Sequence, residues 1–199
     1  EQLRADARAG LRTAAFVSGY PGSPLAGYDR EVARAAATDP DLAIVLRPAL
    51  NEELAATAVM GSQLAPGFVD ARYEGVLGIW YGKAPGLDRA SDALRPAVFA
   101  GSGPKGGAGA LVGDDPAAKS GTLPSSSDAT LVSLHMPMLI PGDVQEVLDL
   151  ARHAVHLSRA SGLWTAVKLV AAVADGTGTV DIDPDRITER RVRVGQRTV

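Results

Sequence analysis

Short apolar runs and helical patterns alternate along most of this chain. Strand-like runs cover residues 13–20, 42–46 and 75–81, and each is followed by apolar residues at helical spacing. The second of these helices is predicted over residues 52–64, where Asn51 supplies a capping side chain. The repeated order of strand and helix indicates an α/β protein.

The later part of the chain continues the alternation. Further strands are predicted at residues 108–112, 129–134 and 164–173, with a strongly periodic helix over residues 144–157 between the last two. The strands are almost continuously apolar, which is typical of a parallel sheet covered on both faces. We therefore predict an α/β fold with a doubly wound, mostly parallel sheet and helices on both faces.

One domain is expected over residues 1–175, because a chain of 199 residues is long enough for one buried core. Residues 176–199 are polar with weak alternation, so they are a linker or the start of another unit. A helix predicted over residues 87–99 should break at Pro96. The chain begins at Glu1 rather than Met, and its first strand follows almost at once, so we expect a fragment of a longer protein.

Several polar or Gly/Pro-rich loops follow the predicted strands. They cover residues 19–24, 48–52, 82–86 and 113–128. In a doubly wound sheet, ligands bind beyond the carboxyl ends of the strands, where loops and helix N-termini converge. We expect these loops to form one contiguous rim.

Charge and cysteine content exclude several classes of function. The chain has 20 basic and 23 acidic residues, a net charge of −3, and no basic run, so nucleic acid is not an expected partner. It has no cysteine, so it holds neither a disulfide nor a thiolate-bound iron–sulfur cluster. No apolar run approaches the roughly eighteen residues that span a bilayer. We expect a cytoplasmic protein with no membrane partner.

A set of strings in fixed order carries a more specific signal. They are FVSGYPGSPL (16–25), NEELAATA (51–58), WYGK (80–83), PGLDR (85–89), LVGDDPAAKS (111–120) and VQEVLDL (144–150). From about residue 12 to residue 170, the chain resembles the N-terminal domain of the long, fused indolepyruvate ferredoxin oxidoreductases. The resemblance implies the pyrimidine-binding domain of a thiamine diphosphate enzyme.

The resemblance gives Glu52 the role of the glutamate that hydrogen-bonds the aminopyrimidine ring of the cofactor. This chemistry needs a carboxyl group in a dry cleft, where burial raises a carboxyl pKa. The helix N-terminus opposes part of that effect because its dipole favours the anion. On local sequence alone, the favoured explanation of Glu52 and Glu53 is that they are acids placed in a first helical turn by the helix dipole. The ordered strings favour the catalytic role.

The same resemblance assigns the other site residues. Ser23 matches a hydroxyl in a Tyr-Pro-x-Thr-Pro loop that meets the substrate carboxylate, although Pro-Gly-Ser-Pro is also common in β-turns. Residues expected to contact the cofactor are Pro21, Gly22, Gly82, Pro85 and Gly86. Residues expected at a domain junction are Lys83, Asp114, Asp115, Lys119 and Ser120, of which Lys83 is also available to a carboxylate or to solvent.

Three positions depart from the family pattern. Ala84 stands where glycine is common, Pro96 where a basic or polar residue is common, and Ser126 where relatives carry glutamine. These departures keep open a second interpretation, in which the chain is a truncated or decayed paralogue that serves as a non-catalytic partner subunit.

The chain contains no Gly-Asp-Gly…Asn motif for magnesium and diphosphate. The family places that motif and its iron–sulfur clusters on other domains, so the resemblance implies that thiamine diphosphate is shared with a diphosphate-binding domain or subunit. The complete enzyme would oxidatively decarboxylate indolepyruvate or another aryl 2-oxoacid, form the acyl-coenzyme A and pass electrons to ferredoxin. A cofactor held between two domains also implies a homodimer or heteromer.

Overall fold

Six parallel strands form the central sheet of the computed structural model, which describes residues 1–183 and 186–187 and the backbone of residues 193–194 and 197–198. The strands are β1 (Thr13–Gly19), β2 (Ile44–Leu46), β3 (Gly75–Lys83), β4 (Ala108–Asp114), β5 (Met138–Leu139) and β6 (Trp164–Val170). Their order across the sheet is β2-β1-β3-β4-β6-β5. The predicted parallel sheet is confirmed, and the direction of winding reverses between β1 and β3, where such sheets bind ligands.

Helices cover both faces of the sheet, as predicted. They are α1 (Gln2–Arg8), α2 (Tyr28–Thr38), α3 (Glu52–Leu64), α4 (Ala84–Ala100), α5 (Asp128–Ser133), α6 (Val144–Ser161) and α7 (Ala171–Ala174). A 3₁₀ turn (Ala65–Gly67) follows α3, and β7 (Arg193–Val194) pairs antiparallel with β8 (Arg197–Thr198). The larger apolar core lies on the face covered by α3, α4 and α5, and a second apolar layer lies under α2 and α6.

Two helices begin where the sequence supplies a capping side chain. Asn51 Oδ1 accepts a hydrogen bond from Leu54 N at 2.9 Å, which starts α3 at the predicted residue. Asp143 Oδ1 accepts one from Glu146 N at 2.8 Å at the start of α6. A cap of this kind stabilises a helix by about 1 kcal/mol, because it satisfies a backbone donor that has no helical partner.

Trp80 connects the core to the start of α3. Its side chain on β3 is completely buried, and its indole N–H donates a hydrogen bond to the carbonyl oxygen of Glu52 at 3.0 Å. The ring lies over Gly82, where an added Cβ would come 2.7 Å from Trp80 Cη2. Gly82 therefore makes room for the indole, and the indole holds the first residue of α3 against β3.

The strand predicted at residues 129–134 is wrong, because these residues form α5 and the turn after it. Leu131 and Leu134 are both completely buried and are spaced three residues apart, which suits one face of a helix. A short apolar run fits a strand or a buried helix equally well from periodicity alone. The fifth strand is instead the short edge strand β5, and α7 replaces the end of the strand predicted over residues 164–173.

The break predicted at Pro96 is also wrong. The helix α4 continues through Pro96 to Ala100. Proline removes the hydrogen bond to the carbonyl four residues earlier, which belongs to Asp92. Both Pro96 and Asp92 are exposed, so water can solvate that carbonyl, while Leu94 and Ala97 keep the helix packed on the core.

The charged N-terminal segment forms α1, which the sequence pattern did not predict. Arg159 of α6 donates to both carboxylate oxygens of Asp6, at 2.8 and 2.7 Å, and both side chains are buried. Thr13 Oγ1 donates to Asp6 Oδ2 at 2.7 Å. Because Thr13 begins β1, this ion pair anchors α1 at the amino edge of the sheet.

The described part of the tail lies along α6. Asp181 N donates to Gln145 Oε1 at 2.7 Å, and Gln145 Nε2 donates to the carbonyl oxygen of Asp181 at 3.2 Å. Arg186 pairs with Asp149 of α6. Within the weakly alternating segment 176–199, residues 180–182 form no strand, residues 193–194 form β7, and residue 192 lies outside the described residues. The domain boundary at residue 175 stays a prediction.

Candidate functional site

A cavity of about 530 Å³ opens at the carboxyl edge of the sheet, among the loops that follow β1, β3 and β4. We call it the site cavity. It brings together five of the predicted site residues, which are Ser23, Lys83, Pro85, Asp115 and Ser120. Its other lining residues are Ala84, Asp88 and residues 121–126. The predicted rim is thus a real feature of the fold at three of its four loops.

The loop after β1 is held by close backbone approaches. An added Cβ at Gly113 of β4 would lie 2.8 Å from Pro24 Cδ, so the loop can rest on the end of β4 only because that position has no side chain. Ser23 Oγ donates a hydrogen bond to Ser120 Oγ at 3.0 Å across the site cavity. Gly22 lies under the stem of Lys83, with an added Cβ 3.1 Å from Lys83 Cδ, and Pro21 is exposed beside it.

Glu52 is the first residue of α3, and only 7% of its surface is exposed. Its carboxylate makes no hydrogen bond or ion pair with any residue in the described part of the chain. The side chain lies against Gly86 in the first turn of α4, where an added Cβ would be 2.5 Å from Glu52 Oε1. Glu53, the neighbouring acid, is exposed. The two first-turn acids therefore occupy different environments, which local sequence did not distinguish.

Glu52 and Gly86 do not line the site cavity themselves. Gly86 directly follows Pro85, which does, so the carboxylate lies beside the cavity and behind the first turn of α4. Glu52 is the first residue of α3 and its carboxylate lies against the first turn of α4, and helix N-termini favour negative charge. Glu52 is thus a buried carboxylate whose hydrogen-bonding capacity is unused within the described residues.

Lys83 is the residue before α4, and its side chain reaches the site cavity. Its ammonium group makes no hydrogen bond or ion pair among the residues that the structure describes. An ammonium group that lines a cavity and has no partner among the described residues is suited to an anionic ligand.

The loop from Asp115 to Ser127, which we call the cavity loop, forms one wall of the site cavity. Asp115 Oδ2 accepts a hydrogen bond from Ser120 N at 2.7 Å, and Asp115 Oδ1 accepts one from Lys119 N at 3.0 Å. The bond from Ser120 N, and to a smaller extent that from Lys119 N, holds the pKa of Asp115 below its ordinary value. Lys119 itself pairs with Asp175 on the surface at 2.7 Å. Asp115 thus shapes its own loop.

Asp114 belongs to a buried network that the sequence analysis missed. Its Oδ2 accepts hydrogen bonds from Ser127 N at 2.9 Å and Ser127 Oγ at 3.1 Å, and it pairs with Lys168 Nζ at 3.2 Å. Lys168 Nζ also donates to Asp128 Oδ2 at 2.6 Å. Burial lowers the pKa of Lys168, but its bonds to Asp128 and Asp114 outweigh this and raise it. A single lysine inside the apolar run of β6 was the available signal.

Each departure from the family pattern is accommodated. Ala84 begins α4 and is buried beside the site cavity, Pro96 lies on the exposed side of that helix, and Ser126 donates a hydrogen bond to Asp128. Within the described ranges, no three His, Asp or Glu side chains are grouped as metal ligands. No helix of those ranges is both long and apolar enough to cross a membrane.

Comparison with known proteins gives a match at the level of structure. No family model and no curated protein matches the sequence. The solved structure of the Rhodococcus jostii RHA1 thiamine diphosphate-dependent 4-hydroxybenzoylformate decarboxylase is similar, with a TM-score of 0.61 and 18% sequence identity. The two proteins share a fold. The match covers 97% of this chain and 32% of the decarboxylase chain, so this chain spans about a third of that protein.

Proposed function

We propose that this chain forms the pyrimidine-binding half of a thiamine diphosphate site in a 2-oxoacid:ferredoxin oxidoreductase of the indolepyruvate type. The observation that carries the proposal is the carboxylate of Glu52, which is buried against Gly86 with no partner among the described residues. A ligand with a ring nitrogen at this position would give the carboxylate a hydrogen-bond partner that the described residues do not supply.

The residues around Glu52 fit an aminopyrimidine. Gly86 presents backbone instead of a side chain, and Pro85 adds a flat apolar surface beside it. Thiamine diphosphate, when bound, supplies a nucleophilic carbon that adds to the oxo group of a 2-oxoacid. Glu52 would hold and exchange a proton at the pyrimidine nitrogen, which is general acid–base chemistry by a positioned side chain.

The site cavity would receive the polar end of the substrate. Ser23 and Ser120 offer hydroxyl groups, and Lys83 offers a positive charge that no described residue neutralises. A carboxylate suits these groups, because hydrogen bonds to an ionised acceptor are about twice as strong as neutral ones. The structural comparison also supports an aryl 2-oxoacid, since the decarboxylase is named for one.

The remaining parts of the reaction belong to other domains or subunits in this proposal. Magnesium and the diphosphate group would be held by a diphosphate-binding domain or subunit, and iron–sulfur clusters would lie elsewhere because this chain has no cysteine. Coenzyme A and ferredoxin would complete the oxidative reaction. The active protein would then be a homodimer or heteromer.

A non-oxidative decarboxylase is the second candidate, supported by the name of the similar structure. It would use Glu52 and the site cavity in the same way, but it would release an aldehyde and reduce no acceptor. A third candidate is a non-catalytic partner subunit, and the assay described next distinguishes it from both enzymes.

The test compares two neighbouring glutamates in the complete protein. The Glu52→Gln variant should lower indolepyruvate- and coenzyme A-dependent reduction of a viologen dye by about 100-fold or more, because general acid–base catalysis contributes a factor of that size. Glu53→Gln, also in the first turn but exposed, should remain close to wild type. Aldehyde release without dye reduction would favour the decarboxylase. Equal activity of the two variants would contradict the role of Glu52, and an inactive wild-type protein would favour the non-catalytic subunit.

A further inference from the structure

The two ends of the cavity loop are joined to β6 by one buried ammonium group. Asp114 lies just before the loop, and Asp128 lies just after it. Lys168 of β6 contacts both carboxylates, at 3.2 Å to Asp114 and 2.6 Å to Asp128. Ser127, the last residue of the loop, donates its backbone N–H and its hydroxyl to Asp114. Lys168 thus connects the entry and the exit of the loop at a single atom.

Apart from its two ends, the cavity loop is joined to the rest of the domain by the ion pair of Lys119 with Asp175 and by the bond between Ser23 and Ser120. Both side chains of that ion pair are exposed, and an exposed pair is a weak restraint. Its internal hydrogen bonds run from Asp115 to Lys119, Ser120 and Ser125, so they set its shape and not its position. The bond from Ser23 to Ser120 crosses the site cavity, and a ligand there would compete for it. The position of Ser120 therefore depends on the two ends of the loop.

We infer that Lys168 is a positioning residue, which places the cavity loop so that Ser120 meets Ser23 at the site cavity. Replacement of Lys168 by an apolar side chain would leave Asp114 and Asp128 as two acids without their shared cation. Asp114 already has one buried oxygen, Oδ1, without a hydrogen-bond partner. Asp114 cannot stay buried and charged without this cation, whereas the half-exposed carboxylate of Asp128 can turn to water, so the two ends of the loop would separate. A buried ion pair of this kind fixes a conformation more than it adds net stability.

A second buried ion pair provides a matched control. Asp6 and Arg159 are as deeply buried as Asp114 and Lys168, but they lie at the amino edge of the sheet, away from the site cavity. Removal of the cation should therefore harm folding at either site, whereas only Lys168 should affect the cavity loop.

The first test is hydrogen–deuterium exchange of the complete protein, resolved by peptide. In Lys168→Met, amides of residues 115–127 should exchange about tenfold faster or more, which corresponds to the loss of one charge-assisted interaction. Amides of α3 and β3 should keep wild-type protection. Arg159→Met should leave the cavity loop unchanged, and Lys168→Arg should restore its protection. Wild-type protection of the loop in Lys168→Met, or equal loosening in Arg159→Met, would overturn the assignment.

The second test rests on the proposed function. Lys168→Met should raise KM for the 2-oxoacid on the order of tenfold, since a displacement near 1 Å in a positioned group can cost up to about 100-fold. Affinity for thiamine diphosphate should stay at the wild-type value, because Glu52 and Gly86 do not contact Lys168. An inactive wild-type protein would count against the proposed function alone, and the exchange result would still decide the role of Lys168.

A milder variant covers the case in which Lys168→Met does not fold. Ser127→Ala removes the hydroxyl bond to Asp114 but keeps the ion pairs. It should speed exchange in the cavity loop by a smaller factor and nowhere else. Unchanged exchange in this loop would contradict the network as the determinant of loop position.

Discussion

The contact between Glu52 and Gly86 allows the position of the Glu52 carboxylate to be tested by adding one methyl group at Gly86. Gly86→Ala adds a Cβ that would lie 2.5 Å from Glu52 Oε1, whereas ordinary contact begins at 3.4 Å, so the carboxylate must retreat by about 0.9 Å. A misplacement of about 1 Å can lower turnover about 100-fold, which is about 2.7 kcal/mol of barrier. In the interior of a helix, alanine is otherwise favoured over glycine by up to about 1 kcal/mol. The variant should therefore lose activity while it keeps its stability.

The assay combines turnover and thermal unfolding of the complete protein. Gly86→Ala should reduce kcat about 100-fold, like a weak form of Glu52→Gln, with an unfolding free energy within about 1 kcal/mol of wild type. Gly61→Ala in α3 is the matched control, because no atom lies within 4 Å of its added Cβ. It should gain about 0.5–1 kcal/mol and keep full activity. Wild-type turnover in Gly86→Ala would refute the placement of Glu52.

Three further predictions concern stability. Trp80→Phe removes the indole donor to the carbonyl of Glu52 and should cost about 0.5–1.5 kcal/mol in chemical denaturation; no loss would show that the hydrogen bond is dispensable. Burial raises the pKa of Asp6, but the hydrogen bonds from Arg159 lower it by more, so the pKa lies below its ordinary value. The ion pair should therefore add its full stability above about pH 4, the pKa of an aspartate in the unfolded chain, and this stability should be lost as the pH falls through the lower pKa of folded Asp6. Asp6→Asn should flatten this pH dependence of the unfolding free energy. An unchanged dependence in the variant would contradict the role of the pair. Asn51→Ala should cost about 1 kcal/mol through loss of the α3 cap, measured by thermal unfolding, and an unchanged Tm would contradict the cap.

Local signals were sufficient where the structure is decided locally. The start of α3 follows from Asn51, which needs only the backbone three residues later. The parallel sheet follows from strands that are apolar along their whole length, because such strands must be covered on both faces. The rim of loops then follows from topology, since every parallel strand ends at the same edge.

Contacts between distant residues were beyond the sequence pattern. The sequence pattern predicted no element for the charged N-terminus, but Asp6 pairs with Arg159 far along the chain and α1 packs as a result. Lys168 looked like a single polar position in a strand until Asp114 and Asp128 were brought to it. Glu52 and Glu53 also differ only through the tertiary packing of Gly86 and Trp80.

The most direct measurement of the central claim is proton exchange at the reactive carbon of thiamine diphosphate bound to the complete protein, followed by NMR in deuterated water. Glu52→Gln should slow this exchange by about 100-fold or more relative to wild type, because it removes the acid–base group at the pyrimidine. Glu53→Gln, whose side chain is exposed, should exchange at the wild-type rate. Equal rates in wild type and Glu52→Gln would contradict the assignment of this site to the pyrimidine of thiamine diphosphate.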